Sequence, residues 1–323
     1  MTRSAARAVA HSNIALAKYW GKADVARNLT AVPSLSLTLA GLRTITTVTF
    51  DSELTADEGT LGSAPLAGKP LLRVQKLLDR VRGLAGTNVF ARVESTNDFP
   101  TASGLASSAS GFAALALAAT RAAGLSLSLE EVSALAREAS ASAARSLFGG
   151  FVALEARAER AERVCAGDHF PLSMLVAVTT AGEKSTGSTD GMQHTAATSP
   201  YYPAWVSDAP RVYARVRAAV MTRDFEALGV AAEQSALAMH ASMLAADPAV
   251  IYFQPGTLAV MHRVRELRKG GLPAFFTMDA GPHVKVLTLP ERAKELEAEL
   301  AVVPGVTRLI VTGPGPDASV ELL

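Results

Sequence analysis

The sequence predicts an α+β fold, and three observations point there. Strand-like and helix-like segments intermix along all 323 residues without the regular strand–helix–strand period of a doubly wound sheet. Hydrophobic residues make up 49% of the chain and charged ones 19%, which fills a sizeable core and argues against disorder. No internal repeat or low-complexity linker interrupts the pattern, and the length suits one large domain or two lobes.

Arg7 to Trp20 alternates in polarity and reads as a first strand entering a loop. Arg3 and Arg7, without nearby acids, faintly resemble a transit peptide, but the alternation favours the strand. Arg43 to Phe50 is rich in β-branched residues and reads as a strand with one wetter face. Leu71 to Leu84 has helical spacing, with Gly83 and Gly86 around its stop. Asn88 to Glu94 alternates again and feeds a turn, Ser95 to Pro100. A small-residue segment then opens an alanine-rich helix to Ala122. Leu129 to Ala139 is the next helix, and Gly149-Gly150 breaks into a strand, Phe151 to Glu155.

After a strand from Met174 to Thr180 the chain becomes more helical, over Pro210 to Met221, Phe225 to Ala246 and Pro255 to Lys269. Strands Ala274 to Met278 and Val284 to Leu287 flank a turn. A helix from Pro290 to Ala301 precedes a last strand, Thr307 to Val311. Gly, Ser and Thr collect between Ala181 and Pro200. A lobe boundary is expected there, dividing an N-terminal lobe, residues 1–185, from a C-terminal lobe, residues 186–323.

Lys plus Arg total 31 against 30 for Asp plus Glu, a formal net charge of +1. That balance provides no broad field for nucleic acid or an anionic membrane, so any anionic ligand must be held by a few placed cations. The longest apolar run, Gly111 to Thr120, is too short to span a bilayer. The single cysteine, Cys165, excludes an intrachain disulfide and a multi-thiolate metal site. A reducing, cytoplasmic compartment fits that usage.

Four segments could carry chemistry. Pro100-Thr-Ala-Ser-Gly-Leu-Ala-Ser-Ser-Ala-Ser-Gly111 brings small residues and hydroxyls to a helix start, which suits an anion seat or simply a tightly packed turn. It lacks the Gly-Lys-Ser/Thr of a Walker A loop, and no lysine occurs between Lys76 and Lys184. Lys18-Tyr-Trp-Gly-Lys22 brackets a glycine with two point charges that could meet on one phosphate group, or it is a solvated strand end. Ser140-Ala-Ser-Ala-Ala-Arg-Ser146 offers two hydroxyls and a guanidinium fork for a carboxylate or phosphate; a surface arginine is the bland alternative. Met278-Asp-Ala-Gly-Pro282 leaves an apolar strand with an acid placed to face a cleft, although Asp before Gly-Pro is also an ordinary turn residue.

In order and spacing these segments resemble the mevalonate diphosphate decarboxylases of the GHMP kinase superfamily. The stretches that carry the resemblance are Asn13 to Lys22, Asn97 to Ser108, Ser140 to Gly150, Glu183 to Met192, His240-Ala and Asp279 to Pro282, spanning nearly the whole chain. The resemblance implies a two-lobed GHMP kinase-like fold with the active site in the cleft between lobes, ATP and Mg2+ as cofactors, and a homodimer. By the same carry-over Asp279, Arg145 and Lys18 are catalytic. Tyr19, Lys22, Ser140, Ser142 and Met192 bind substrate. Asn97, Ser103, Gly104, Ser107 and Ser108 bind the nucleotide. The metal ligands are not legible.

The family reaction phosphorylates a tertiary hydroxyl from ATP, then expels phosphate and carbon dioxide together. Asp279 would orient that hydroxyl and Arg145 would hold the substrate carboxylate. The chain departs from the family pattern at Ala141, Ala144, Val32-Pro33, His283 and Ala196. Bacterial members often carry an arginine at the Ala196 position, associated with the terminal phosphate, so a monophosphate substrate or a kinase-only relative is the runner-up; Gln193 or His194 would have to replace that arginine. A catalytically dead binding protein of this fold would have no reason to keep Asp279, Arg145 and the serine loop together.

Overall fold

The computed structural model describes residues 3–99, 107–179 and 186–323. Strands β1 (Arg3–Ala17) and β4 (Ser34–Asp51) are the longest, and they pair antiparallel along almost their whole length. Between them lies a short hairpin, β2 (Lys22–Asp24) and β3 (Leu29–Thr30). The chain then adds β5 (Glu58–Leu61), β6 (Ala64–Pro65), helix α1 (Gly68–Ala85) and β7 (Ala91–Asn97). Gly83 lies inside α1, and the stop is Gly86, whose φ of 64° places it in the left-handed region that favours glycine.

Helices α2 (Ser107–Ala122) and α3 (Leu129–Ala139) follow, then a 3-10 turn over Ala141–Leu147 and strands β8 (Phe151–Leu154) and β9 (Glu162–Cys165). Ser128 and Glu131 form a reciprocal capping box that starts α3. The strands so far, joined by the C-terminal strand β14 (Ser319–Leu322), make all but the small β2–β3 pair into one sheet of order β14-β1-β4-β7-β5-β6, with β8 attached to β4 and β9 to β8. The alanine-rich face of α2 packs closely on Ala8, Ala10, Val48 and Val93 of that sheet.

The second half builds β10 (Ser173–Val178), helices α4 (Ser188–Thr198), α5 (Tyr202–Thr222), α6 (Phe225–Leu244) and α7 (Pro255–Lys269), strands β11 (Ala274–Met278) and β12 (Val284–Thr288), helix α8 (Ala293–Ala301) and β13 (Arg308–Thr312). Its strands form an antiparallel sheet of order β11-β12-β10-β13. Helix α6 lies close against it, because a Cβ on Gly229 would sit 2.1 Å from the Phe275 ring. One core cluster joins the two sheets: Ile14, Leu16, Leu35 and Leu37 pack with Met174, Val176, Leu287 and the inner faces of α5 and α6. Each such buried side chain contributes about 1.5–3 kcal/mol, so the sheets are held as one body by far more than a surface contact.

Several elements differ from the sequence reading, which named none of β2, β3, β5, β6 and β9 and began α5 at Pro210 rather than Tyr202. Residues 34–42 continue the strand expected only from Arg43, because Ser34, Ser36 and Thr38 are buried polar groups that pairing with β8 and β1 accommodates. Helix α4 occupies the Gly/Ser/Thr-rich stretch read as a boundary. Its propensity is poor, but Gly191 packs on the Trp20 ring and Met192 joins a buried cluster with Trp20, Trp205 and Met239. Strand β14, too short to signal itself, exists by pairing with Ala6 to Val9 of the first strand.

Candidate active site

One cavity of about 1400 Å³ collects side chains from both halves of the chain. Its floor is built where β1 ends. The Lys18 backbone N–H donates to the Ser235 hydroxyl at 2.8 Å, and the Trp205 indole donates to the Trp20 carbonyl at 2.9 Å, so α6 and α5 fix the exit of this strand. Gly21, at φ 108°, lets the chain pass the Tyr202 hydroxyl, which a Cβ would meet at 1.9 Å.

Lys18 is buried, and its ammonium donates to Asp279 Oδ1 at 2.6 Å. Lys285, the second residue of β12, lies 3.4 Å from Asp279 Oδ2 and is wholly buried. The Asp279 side chain is 25% exposed and lines the cavity. Burial alone would raise its pKa, but the charges of Lys18 and Lys285 outweigh that and bring it to about 2. Burial lowers the Lys18 ammonium to about 8 against the opposing pull of Asp279. The carboxylate is thus held ionised, with Lys18 and the buried Arg145 on the cavity side and Lys285 behind it.

Arg145 sits on the 3-10 turn after α3 in a cage of neutral acceptors. Its Nε donates to Ser36 Oγ at 2.9 Å, Nη1 to Ser34 Oγ at 2.7 Å and Nη2 to Asn13 Oδ1 at 3.2 Å. The Asn13 amide is itself oriented, because its nitrogen donates to the Ser142 carbonyl at 3.0 Å and Ser146 Oγ at 2.8 Å. A guanidinium has five N–H groups, so three such bonds leave two for a ligand. Ser140 and Ser142, their hydroxyls 3.2 Å apart, stand beside it on the cavity wall.

At another side the first turn of α2 opens on the cavity with Ser107 and Ser108 and carries no acid to offset the helix dipole. Asn97 ends β7 next to it. The Thr44 hydroxyl donates to Asn97 Oδ1 at 2.6 Å and shares a 2.7 Å hydrogen bond with Ser110 Oγ, which ties strand ends to helix start. Ser103 and Gly104 lie outside the described residues.

Lys22 starts the β2–β3 hairpin, which the Asn28 amide fastens to the α3 terminus through the Arg137 carbonyl at 2.8 Å. Partial burial and the neighbouring Arg73 charge lower the Lys22 ammonium. Tyr19, whose ring lies 5.8 Å from the Arg145 guanidinium, and Met192 complete the set, so the structure brings every described site residue of the sequence reading to one cavity.

The sequence reading passed over Arg73, Lys285, Ser34 and Ser36 as site residues. Arg73 reaches the cavity from α1, donates to the Ala139 carbonyl at 2.8 Å and lies over the Phe112 ring. On a helix it is indistinguishable from a surface arginine. Lys285 left a signal, a lone lysine inside the apolar run Val284-Lys-Val-Leu287. Gln193, His194 and Ala196 do not line the cavity, and His194 is engaged 2.7 Å from the Pro248 carbonyl. Arg73 stands close enough to Lys22 for its charge to lower that ammonium.

Two family models match the chain: the diphosphomevalonate decarboxylase-like N-terminal domain over residues 10–166 and the mevalonate 5-diphosphate decarboxylase C-terminal domain over residues 174–308. A diphosphomevalonate decarboxylase of Eremothecium gossypii is 35% identical, over 91% of this chain and 80% of its own. A phosphomevalonate decarboxylase of Haloferax volcanii is 34% identical, over 92% of both chains. A solved structure of MDDEF in complex with MVAPP, AMPPCP and magnesium superposes with a TM-score of 0.92 at 41% identity, covering 99% of each chain. With both halves matched, and a buried cationic floor around one carboxylate beside a hydroxyl-lined helix start, the chain belongs to the diphosphomevalonate decarboxylase family.

Proposed function

We propose that this chain catalyses the ATP-dependent decarboxylation of mevalonate 5-diphosphate to isopentenyl diphosphate. The observation that carries the reading is the floor geometry. Asp279, held ionised between Lys18 and Lys285, faces the same cavity as an Arg145 whose guanidinium keeps two N–H groups uncommitted among the described residues. A substrate carboxylate meets that fork, and its tertiary hydroxyl meets Asp279.

The residues divide the work in a physically consistent way. Asp279 is a weak ground-state base at about 2, so it orients the hydroxyl and takes its proton as phosphoryl transfer makes that proton acidic. Lys18 offsets the negative charge gathered there. Phosphorylation converts a poor leaving group into a good one. Departure of phosphate then builds positive charge on carbon, which the breaking bond to the carboxylate relieves as carbon dioxide leaves. Arg145 cannot lose its proton, so it fixes the carboxylate without acting as an acid.

The α2 start, with Ser107, Ser108 and Asn97, fits a nucleotide triphosphate. Among the described residues no group of three His, Cys, Asp or Glu could form a metal cage. A magnesium ion would come with the nucleotide and would supply charge neutralisation there. On family resemblance, and on the lone Cys165, the protein is read as a cytoplasmic homodimer with lobes 1–185 and 186–323. Two strands cross that division: β10, residues 173–178, belongs to the second sheet, and β14 returns to the first.

Carbon dioxide release from mevalonate, its monophosphate and its diphosphate, each with ATP, tests the reading. The diphosphate is expected to have the highest kcat/KM, because Lys22 and Arg73 gather charge at one side of the cavity. One charge-assisted contact unique to the outer phosphate is worth about 1.5–3 kcal/mol, a preference of about tenfold or more. Lys22→Ala and Arg73→Ala are each expected to narrow the gap. Preferential turnover of the monophosphate by the unmodified protein overturns the diphosphate reading and favours a phosphomevalonate decarboxylase.

A pH limb is also expected. Lys18 carries its charge below about 8 and loses it above, whereas Asp279 stays ionised down to about 2. The value of kcat/KM should therefore fall as pH rises through 8. A profile flat to about pH 9.5 would remove the Lys18 ammonium from catalysis.

A further inference from the structure

We propose that Lys285 is a positioning residue for Asp279, holding the Oδ2 side of the carboxylate from behind the cavity floor while Lys18 takes Oδ1. The proposal rests on the reading that Asp279 faces the substrate hydroxyl. Lys285 itself does not line the cavity and cannot touch substrate from β12.

Its placement is hard to explain as structure alone. The other residues of β12 are Val284, Val286, Leu287 and Thr288, all buried, and the Lys285 backbone is paired on both sides, with Val176 of β10 and Thr277 of β11. A buried ammonium is costly, and a methionine or leucine would fill this strand position without that cost. The Lys285 ammonium lies 3.3 Å from the His283 carbonyl and 3.4 Å from Asp279 Oδ2. Neutralising Asp279 does not require it, because Lys18 already pairs with the other oxygen at 2.6 Å. What a second cation adds is a fixed carboxylate plane and a surplus of positive charge.

The groups packed around Asp279 come from every side. Lys18 and Tyr19 come from the end of β1, Arg145 from the 3-10 turn, His240 from α6, and His283 and Lys285 from the turn and strand after Asp279. Neither histidine contributes charge at neutral pH. Burial, then the Lys18 charge, lowers His240 to about 4, and its ring stacks 4.9 Å from Phe253. His283 is lowered to about 4 by burial, and its Nδ1 accepts the Thr179 N–H at 3.3 Å. Asp279 is the one anion of this group. Removing Lys285 takes away one of the three cations that oppose its protonation.

The test is Lys285→Met, which keeps length and removes charge; Lys285→Leu serves if methionine unsettles β12. Three results are expected. The variant releases carbon dioxide about 10–100-fold more slowly, with KM for the diphosphate within about threefold, since the residue acts through Asp279. The acid limb of its kcat profile lies about one pH unit above that of the parent. The 13C resonance of the Asp279 carboxyl, assigned by its loss in Asp279→Asn, titrates at correspondingly higher pH. A merely structural lysine would move stability and leave the last two unchanged. A carboxyl that titrates at the same pH in parent and variant overturns the proposal. That titration needs no turnover, so it is separate from the functional reading, which fails if the unmodified protein releases no carbon dioxide from any mevalonate ester.

Discussion

Asp279→Asn is expected to lower carbon dioxide release by about 10²–10⁴-fold while affinities for diphosphate and ATP stay within several-fold of the parent. The substitution keeps the shape and removes the only carboxylate, among the described residues, paired with Lys18 and Lys285. An amide oxygen can still accept a hydrogen bond, but it cannot take the hydroxyl proton as phosphoryl transfer proceeds. Anion binding survives because the cationic floor remains. Breaking a buried pair from one side typically costs about 3–5 kcal/mol of stability, so thermal unfolding must accompany the kinetics. A folded variant with near-parent single-turnover rates would take Asp279 out of the chemistry.

Arg145→Lys is expected to be nearly as damaging as Arg145→Leu. The guanidinium spends one N–H each on Ser36, Ser34 and Asn13, and it reaches a ligand with what remains. A lysine has three donors on one nitrogen, which cannot serve three dispersed acceptors and a carboxylate together. Loss of two charge-assisted bonds at about 1.5–3 kcal/mol each corresponds to about 10²–10⁴-fold in kcat/KM. Leucine would leave the Ser34, Ser36 and Asn13 oxygens buried beside an apolar group and lose stability as well. If lysine restores most activity, Arg145 acts by diffuse charge and the clamp fails.

Much of the site was legible because its chemistry is written in contiguous segments. Lys18 to Lys22, Ser140 to Arg145 and the Ser107-Ser108 helix start each keep several functional atoms within one turn or strand end, so local spacing exposes them. Residues that reach the cavity singly from the middle of a regular element were not legible. Arg73 follows the ordinary pattern of an amphipathic helix. Ser34 and Ser36 look like a polar loop until β8 and β1 pair on both sides of them. Helix α4 has weak intrinsic preference and exists because Trp20 and Trp205 bury its Gly191-Met192 face.

By itself the sequence determined the mixture of strands and helices, the four chemistry-bearing segments and their order, and through these the family. Periodicity, turn residues and small-residue runs are local properties, and local properties survive in one dimension. Only the tertiary structure decided that these segments meet in one cavity. It placed Asp279, 261 positions from Lys18, at hydrogen-bond distance from its ammonium. It also set Lys285 behind that carboxylate and gave Arg145 three neutral hydrogen-bond partners. The reason is that a charge's role depends on its burial and on what lies within a few ångströms, and pairing between distant strands sets both.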